Sequence, residues 1–365
     1  MRLSDVTLRE GDQMPGREFT AADKVECARV LDDLGVPYIQ PAFPATGEKD
    51  RRVLRELAGT TDADIVALAR ALEGDVDAAV DAGADVVETF VPVSDLQLTH
   101  LLGTTREDML SMVGGAVDHA RDRGARVHVT LADAFRTDTD DLIEVIERVP
   151  EAECVTLADT VGARTPASVL DRLDRIDGHV KRSRVGVHFH DDLGCATANA
   201  LAAARAGVGK ADVSVGGLGE RAGNSPLEEV VVAAAVDTGA ELGIETDGLI
   251  PACRDVLDTL GEGYDERKPV LGAGVSEHES GIHTAAMLSE PAAMEAYDPG
   301  RFGGERRLIF GTQTGVGAAR QLLERAGHDP DETAVDTLLD RLAAEGPLSR
   351  EEAIALAAEV GERPS

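Results

Sequence analysis

Residues 185–215 read VGVHFHDDLGCATANALAAARAGVGKADVSV. A short apolar run predicts a strand over Val185–His190, and the alanine-rich stretch near 195–206 predicts a helix. Gly207 stops that helix, and Ala211–Val215 begins the next strand. The same unit recurs along the chain. Further strands are predicted at Leu3–Leu8, Tyr38–Phe43, Asp64–Ala69, Val86–Val91, Arg126–Leu131 and Cys154–Ala158. Helical periodicity lies between them, near 20–34, 48–58, 75–83, 105–123, 138–148 and 166–177, and again near 226–241. Thr20 with Asp23 marks one helix start, and Gly35, Gly83 and Gly124 mark stops. Eight βα units predict an α/β fold, a (β/α)8 TIM barrel over residues 1–245. A doubly wound open sheet is the alternative, but no G-x-G-x-x-G follows an early strand. In a barrel, active groups gather where strands end and loops begin. Residues 246–365 read as small, mostly helical subdomains, including helices at Thr333–Ala344 and Ser349–Val360.

The 365 residues carry 68 Asp+Glu against 36 Lys+Arg, a formal charge of −32, and 43% are apolar. The apolar share can build a core and excludes wholesale disorder. The charge repels phosphate backbones, so nucleic-acid binding is not expected. Lysines are confined to Lys24, Lys49, Lys181, Lys210 and Lys268. This balance reads as a protein kept soluble in high salt, where screening makes self-repulsion tolerable; an ordinary acidic enzyme is the alternative. Cys27, Cys154, Cys195 and Cys253 lie far apart without C-x-x-C spacing, so reduced thiols are expected. No apolar run reaches the ~18 residues of a membrane span, and MRLSDVTLREGDQ lacks a signal-peptide core. A soluble cytoplasmic protein is the expectation.

Four motifs carry chemistry. His188 and His190 end the seventh strand, and residues i and i+2 share a face, so both imidazoles can reach one ion. The bland reading makes one of them a satisfied core histidine. Thr7-Leu8-Arg9-Glu10-Gly11-Asp12-Gln13 ends the first strand, which a closed barrel brings near the seventh. Glu10 can then add a carboxylate with Arg9 beside it, unless the pair is only a solvated loop edge. Gly216–Asn224 (GGLGERAGN) leaves the eighth strand, as a ligand-approaching loop or a plain turn. An N/O donor set without thiolate suits Mg²⁺, Mn²⁺, Zn²⁺ or Co²⁺. Glu277–His283 (EHESGIH) offers an acid/base element, a second metal site or surface histidines.

At these motifs the chain resembles the acyl-CoA-dependent 2-oxo-acid synthases: isopropylmalate, citramalate and homocitrate synthases. They share a metal-dependent barrel group with hydroxymethylglutaryl-CoA lyase. The resemblance runs from Asp5 to about Gly317 through TLREGDQMPG, FPATGE, ADTVG, HFHDDLGCATANALAAARAG, GLGERAGNSPLEEVV, HESGIH and RFGGERRLIFG. It implies that Glu10, His188 and His190 bind a divalent cation, with Asn224 close by or ligating. Arg9 would stabilise the oxyanion, and Gln13 and Thr160 would bind the 2-oxo acid beside it. His278 would be an acid/base residue delivered from a neighbouring subunit, which implies a homodimer. Acetyl-CoA would be the co-substrate of a Claisen condensation completed by thioester hydrolysis.

The chain departs from that pattern in places. Ala132 stands where a fifth-strand glutamate is usual, with Asp133 as a conceivable substitute. Gln40 replaces a second-strand acid, and Met294 a tyrosine that Tyr297 could replace. Leu68 and His128 occupy places where lysine-pathway homocitrate synthases have His and Arg, and Gly186 replaces an acid two residues before His188. These changes point toward isopropylmalate and citramalate synthases. VPVSDLQ (residues 91–97) and HDDLGCATAN instead resemble the homocitrate synthases of nitrogenase-cofactor biosynthesis. Homocitrate-synthase-like activity is the expectation, with leucine- or isoleucine-pathway synthesis as the alternative. A lyase of the same barrel group and a catalytically silent relative complete the set. No C-terminal regulatory domain is expected.

Overall fold

The computed structural model describes residues 1–362. Eight parallel strands close into a barrel in chain order: β1 (Arg2–Asp5), β2 (Tyr38–Ala42), β3 (Asp64–Arg70), β4 (Val86–Pro92), β5 (Arg126–Ala132), β6 (Cys154–Asp159), β7 (Val185–Phe189) and β8 (Lys210–Val213). β8 returns beside β1, pairing Lys210 with Arg2 and Asp212 with Ser4. Side chains alternate across each strand. Outward positions such as Leu3, Ile39, Ile65, Val87 and Val187 are fully buried. Inward positions change character with height. Tyr38, Val66 and Val86 form a small apolar floor, with His128 edge-on to Tyr38 at 5.3 Å. Two residues further along the same strands stand Gln40, Leu68 and Glu88, and the interior turns polar.

The predicted elements form within a few residues of their expected bounds. Thr20 caps the helix Ala21–Asp33 and exchanges hydrogen bonds with Asp23. Gly35 and Gly207 follow their helices at φ 86°, a region that side chains with a Cβ avoid.

The first strand is shorter than expected, and the difference matters. β1 stops at Asp5, and Thr7–Glu10 is a helical turn rather than strand. The Asp5 carboxylate accepts from the Thr7 amide at 3.0 Å and its hydroxyl at 2.8 Å. Arg9 N and Glu10 N then return to Val6 O at 3.2 and 2.8 Å. Arg9 and Glu10 are thereby set on a helical turn above β1. β8 likewise ends at Val213, because Ser214 N donates to Ser225 O and the chain turns through Gly216 at φ 64°.

Two compact units result, Met1–Gly263 and Tyr264–Ser365. The helix Leu249–Leu260, assigned by sequence to the C-terminal part, lies in the first unit against Ala21–Asp33. The second unit is mostly helical, around Phe310, Leu322, Leu338 and Ala357. It also holds a small sheet that sequence periodicity did not predict: β9 (Glu277–His278), β10 (Arg307–Phe310) and β11 (Leu348–Ser349), ordered β11-β10-β9. No helix among the described residues is long and apolar enough to cross a membrane.

The barrel floor makes a pH-dependent contribution to stability. Burial, aided by the Lys210 charge, pushes the His128 imidazole down to about 4, against roughly 6.5 in an unfolded chain. The native state therefore binds fewer protons between those values. The contribution is whole above pH ~6.5 and is lost as pH falls toward 4, about 3 kcal/mol in all. Urea melts across that window should show His128→Phe, which keeps the edge contact with Tyr38, losing this part of the slope; an unchanged slope would contradict the assignment.

Candidate metal and active site

Glu10 closes the helical turn above β1, His188 sits on β7 and His190 just beyond it. All three are buried, and one ligand atom from each lies within 4.8 Å of the others. His188 Nε2 stands 3.4 Å from His190 Nε2 and 3.8 Å from Glu10 Oε1. The Asp212 carboxylate faces His188 Nδ1 at 3.2 Å. A carboxylate can only accept there, so Nδ1 carries the proton and the Nε2 lone pair points at its neighbours. Burial above all pushes His190 down to about 4, so it offers a lone pair at neutral pH. Burial alone would raise the Glu10 carboxyl, but the Arg9 guanidinium, by charge and hydrogen bond, helps hold it below the usual range. Asn224 Oδ1 and His190 Nδ1 are buried without a hydrogen-bond partner. One carboxylate, two imidazoles and an unpartnered amide oxygen nearby fit a divalent cation, without choosing among Mg²⁺, Mn²⁺, Zn²⁺ and Co²⁺.

A buried polar circuit backs this cluster. Arg9 pairs with Glu10, and its Nε donates to Gln40 Oε1 at 2.7 Å. Gln40 Nε2 donates to Glu88 Oε2 at 2.6 Å. Glu88 Oε1 accepts from Thr130 Oγ1 at 2.7 Å and Lys210 Nζ at 2.9 Å. Lys210 Nζ also lies 3.1 Å from Asp212 Oδ1, which returns the circuit to His188. This accounts for Gln40. The side chain there must accept from Arg9 and donate to Glu88, which a carboxylate cannot do. Sequence reading missed Glu88, Lys210 and Asp212. The available signal was charge inside short apolar runs, with Lys210 and Asp212 at strand spacing.

Arg9, Glu10, Gln13, Thr160, His188 and His190 all line one cavity of about 260 Å³ at the C-terminal end of the strands. Thr160 Oγ1 accepts from Asp133 N at 2.8 Å, which leaves its own proton free to donate. Gln13 is exposed at the rim. Asn224 is bridged to His190 through the backbone but does not line the cavity. His278 lies in the second unit, half-buried on β9 and paired with Leu308. Among the described residues no second three-ligand group forms, so EHESGIH is not brought together as a metal site. Met294 is exposed, while Tyr297 is half-buried and edge-on to Phe302 at 5.5 Å.

The Asp133 side chain is held away from the cavity wall. Ala132 lines the cavity, while Asp133 adopts φ 62°. Its carboxylate is held by Arg136 at 2.7 and 2.8 Å and by Ser94 Oγ at 2.5 Å. Asp133→Asn, which tolerates that backbone region, should lower stability by ~1–3 kcal/mol and leave kcat of the folded protein within twofold; a hundredfold loss of kcat would return Asp133 to the chemistry.

Residues 1–256 match the HMGL-like family, and residues 270–346 match the homocitrate synthase post-HMGL domain-like family. The chain is 41% identical over 345 residues to a homocitrate synthase AksA of Methanopyrus kandleri, covering 94% of this chain and 87% of that one. It is 38% identical to a probable 2-isopropylmalate synthase of the same organism, over 94% of this chain and 69% of the relative. A putative (R)-citramalate synthase CimA, again from Methanopyrus kandleri, is 38% identical, over 94% and 68%. In fold, a hydroxymethylglutaryl-CoA lyase from Pseudomonas aeruginosa superposes with a TM-score of 0.65 at 24% identity, covering 72% of this chain and 93% of that chain.

Proposed function

Because the chain belongs to the HMGL-like family, we propose that Glu10, His188, His190 and Arg9 form its reaction centre and that its 2-oxo acid is 2-oxoglutarate. The chain is an acyltransferase of the group that condenses acetyl-CoA with a 2-oxo acid. The observation that carries the site assignment is the buried Glu10–His188–His190 cluster with Arg9 against it.

Glu10, His188 and His190 would hold a divalent cation, with the Asn224 amide oxygen close by. Such an ion, when bound, polarises the oxo carbonyl as a Lewis acid. Arg9, fixed by Gln40 and Glu10, presents donors to the alkoxide oxygen that develops there. The Thr160 hydroxyl and the Gln13 amide orient the acid. His278, contributed by the second subunit of a homodimer, moves the proton of the acetyl methyl group. The methyl carbon bonds to the oxo carbon, and water then cleaves the thioester, releasing CoA and making the condensation effectively irreversible.

The choice of 2-oxoglutarate is supported by Gln97. It lines the cavity, and its Oε1 is buried with no partner. The other end of that amide, Nε2, is a donor and is the end that can meet a distal carboxylate. The relative named homocitrate synthase is consistent with this reading. The second reading is an apolar-tailed acid, 2-oxoisovalerate or pyruvate. Leu68, Phe90, Pro92 and Ala132 favour it, since they form an apolar stretch of the cavity wall.

Thiol release from acetyl-CoA, measured with Mn²⁺ or Mg²⁺ in molar KCl, should depend on 2-oxoglutarate. It should cease on chelation and return with the ion. Dependence on 2-oxoisovalerate or pyruvate would select the second reading, and no release with any acid would overturn the assignment. Gln97→Leu should raise KM for 2-oxoglutarate about 10- to 100-fold, the worth of one hydrogen bond to a charged group; an unchanged KM would remove Gln97 from the substrate site.

A further inference from the structure

We propose that Lys210 is a positioning residue through which the metal-ligand side and the oxyanion side of the site are set together. It is the first residue of β8, and its side chain is almost wholly buried. Its ammonium bridges two carboxylates, Glu88 Oε1 at 2.9 Å and Asp212 Oδ1 at 3.1 Å. Among the described residues no other lysine or arginine lies within ion-pair distance of either acid. Each acid uses its remaining oxygen on a different functional group. Asp212 Oδ2 accepts from His188 Nδ1 and so aims Nε2 at Glu10 and His190. Glu88 Oε2 accepts from Gln40, whose Oε1 accepts from Arg9 Nε. One cation therefore stands behind a candidate metal ligand and behind the candidate oxyanion donor.

The barrel makes room for this cation at one place. A Cβ on Gly186 would lie 3.1 Å from Lys210 Cε, 2.6 Å from Thr156 Oγ1 and 2.9 Å from Cys154 Sγ. Gly186 points inward two residues before His188, so the lysine stem fills the volume that β7 leaves empty. Without the ammonium, two acids face each other in the barrel interior with no cation between them, and neither is held against its partner. The proposal rests on reading Glu10, His188 and His190 as a metal centre.

The test uses Lys210→Met, the charge-balanced Lys210→Met/Glu88→Gln, and Glu88→Gln alone. The double variant keeps the net charge, which protects folding if the single one collapses. Mn²⁺ affinity of the metal-free protein is read by calorimetry, and kcat at saturating Mn²⁺ by thiol release, after circular dichroism confirms the fold. Both lysine variants should bind Mn²⁺ 10- to 100-fold more weakly, the usual effect of losing an outer partner, and should lose at least tenfold in kcat. Glu88→Gln should keep Mn²⁺ affinity within threefold while kcat falls. A folded lysine variant with wild-type Mn²⁺ affinity overturns the proposal, as does weakened affinity with unchanged kcat. A wild-type protein that binds no Mn²⁺ would instead overturn the metal reading beneath it.

Discussion

A single ammonium held between two carboxylates inside a closed barrel is the constraint on which the site rests. Burial by itself would lower the charge preference of Lys210, yet Asp212 and Glu88 reverse that and hold its pKa above the ordinary lysine range. Burial would raise the Asp212 and Glu88 carboxyls, and the same ammonium keeps both below their usual range, with His188 assisting at Asp212. Taking three charges out of water is expensive, and a buried ion group of this kind is weak evidence for stability. Its value here is positional. Each acid has one oxygen on the lysine and one on a functional partner, so the directions of His188 and Gln40 follow from where the ammonium sits.

The fold supplies the other half of the geometry through an interruption. If β1 had run on through Glu10, alternation would have sent Arg9 and Glu10 to opposite faces. Instead Asp5 turns the chain at Thr7, whose hydroxyl also accepts from Val215 N at 2.8 Å and ties β1 to the end of β8. Arg9 and Glu10 then both reach the barrel mouth. The loops beyond are fixed by Lys24, buried between Asp12 at 2.8 Å and Asp50 at 2.9 Å. Asp50 in turn accepts from Phe43 N at 2.8 Å. Two of the chain's five lysines thus serve as internal braces rather than surface charge.

The barrel was legible because its signal is repeated. The βα units repeat the same alternation, and four helices close on a glycine (Gly35, Gly83, Gly124 and Gly207), so boundary errors of a few residues do not change the architecture. His188 and His190 were legible for a similar reason, since strand spacing places both on one face. Glu10 and Arg9 were expected at a strand end and stand instead on a helical turn, because Asp5–Thr7 bonding is a side-chain event that apolar periodicity does not register. Gln40 and Gly186 looked like losses when taken one position at a time. Both make sense only beside partners distant in sequence: Glu88 for one, Lys210 for the other. Strand spacing puts Lys210 and Asp212 on one face, but Glu88 sits in an apolar strand far away in sequence, and nothing local says that it joins them. The small β9–β10–β11 sheet escaped notice because two of its strands are two residues long.

Through Asp212, the protein sets the direction of His188 before any ion arrives. Imidazole ¹⁵N–¹H correlation spectra of the metal-free protein, with His188 assigned by substitution, test it most directly. Because Asp212 faces Nδ1, the ring proton should stand on Nδ1 and leave Nε2 bare. A proton on Nε2, or on both nitrogens, would contradict it.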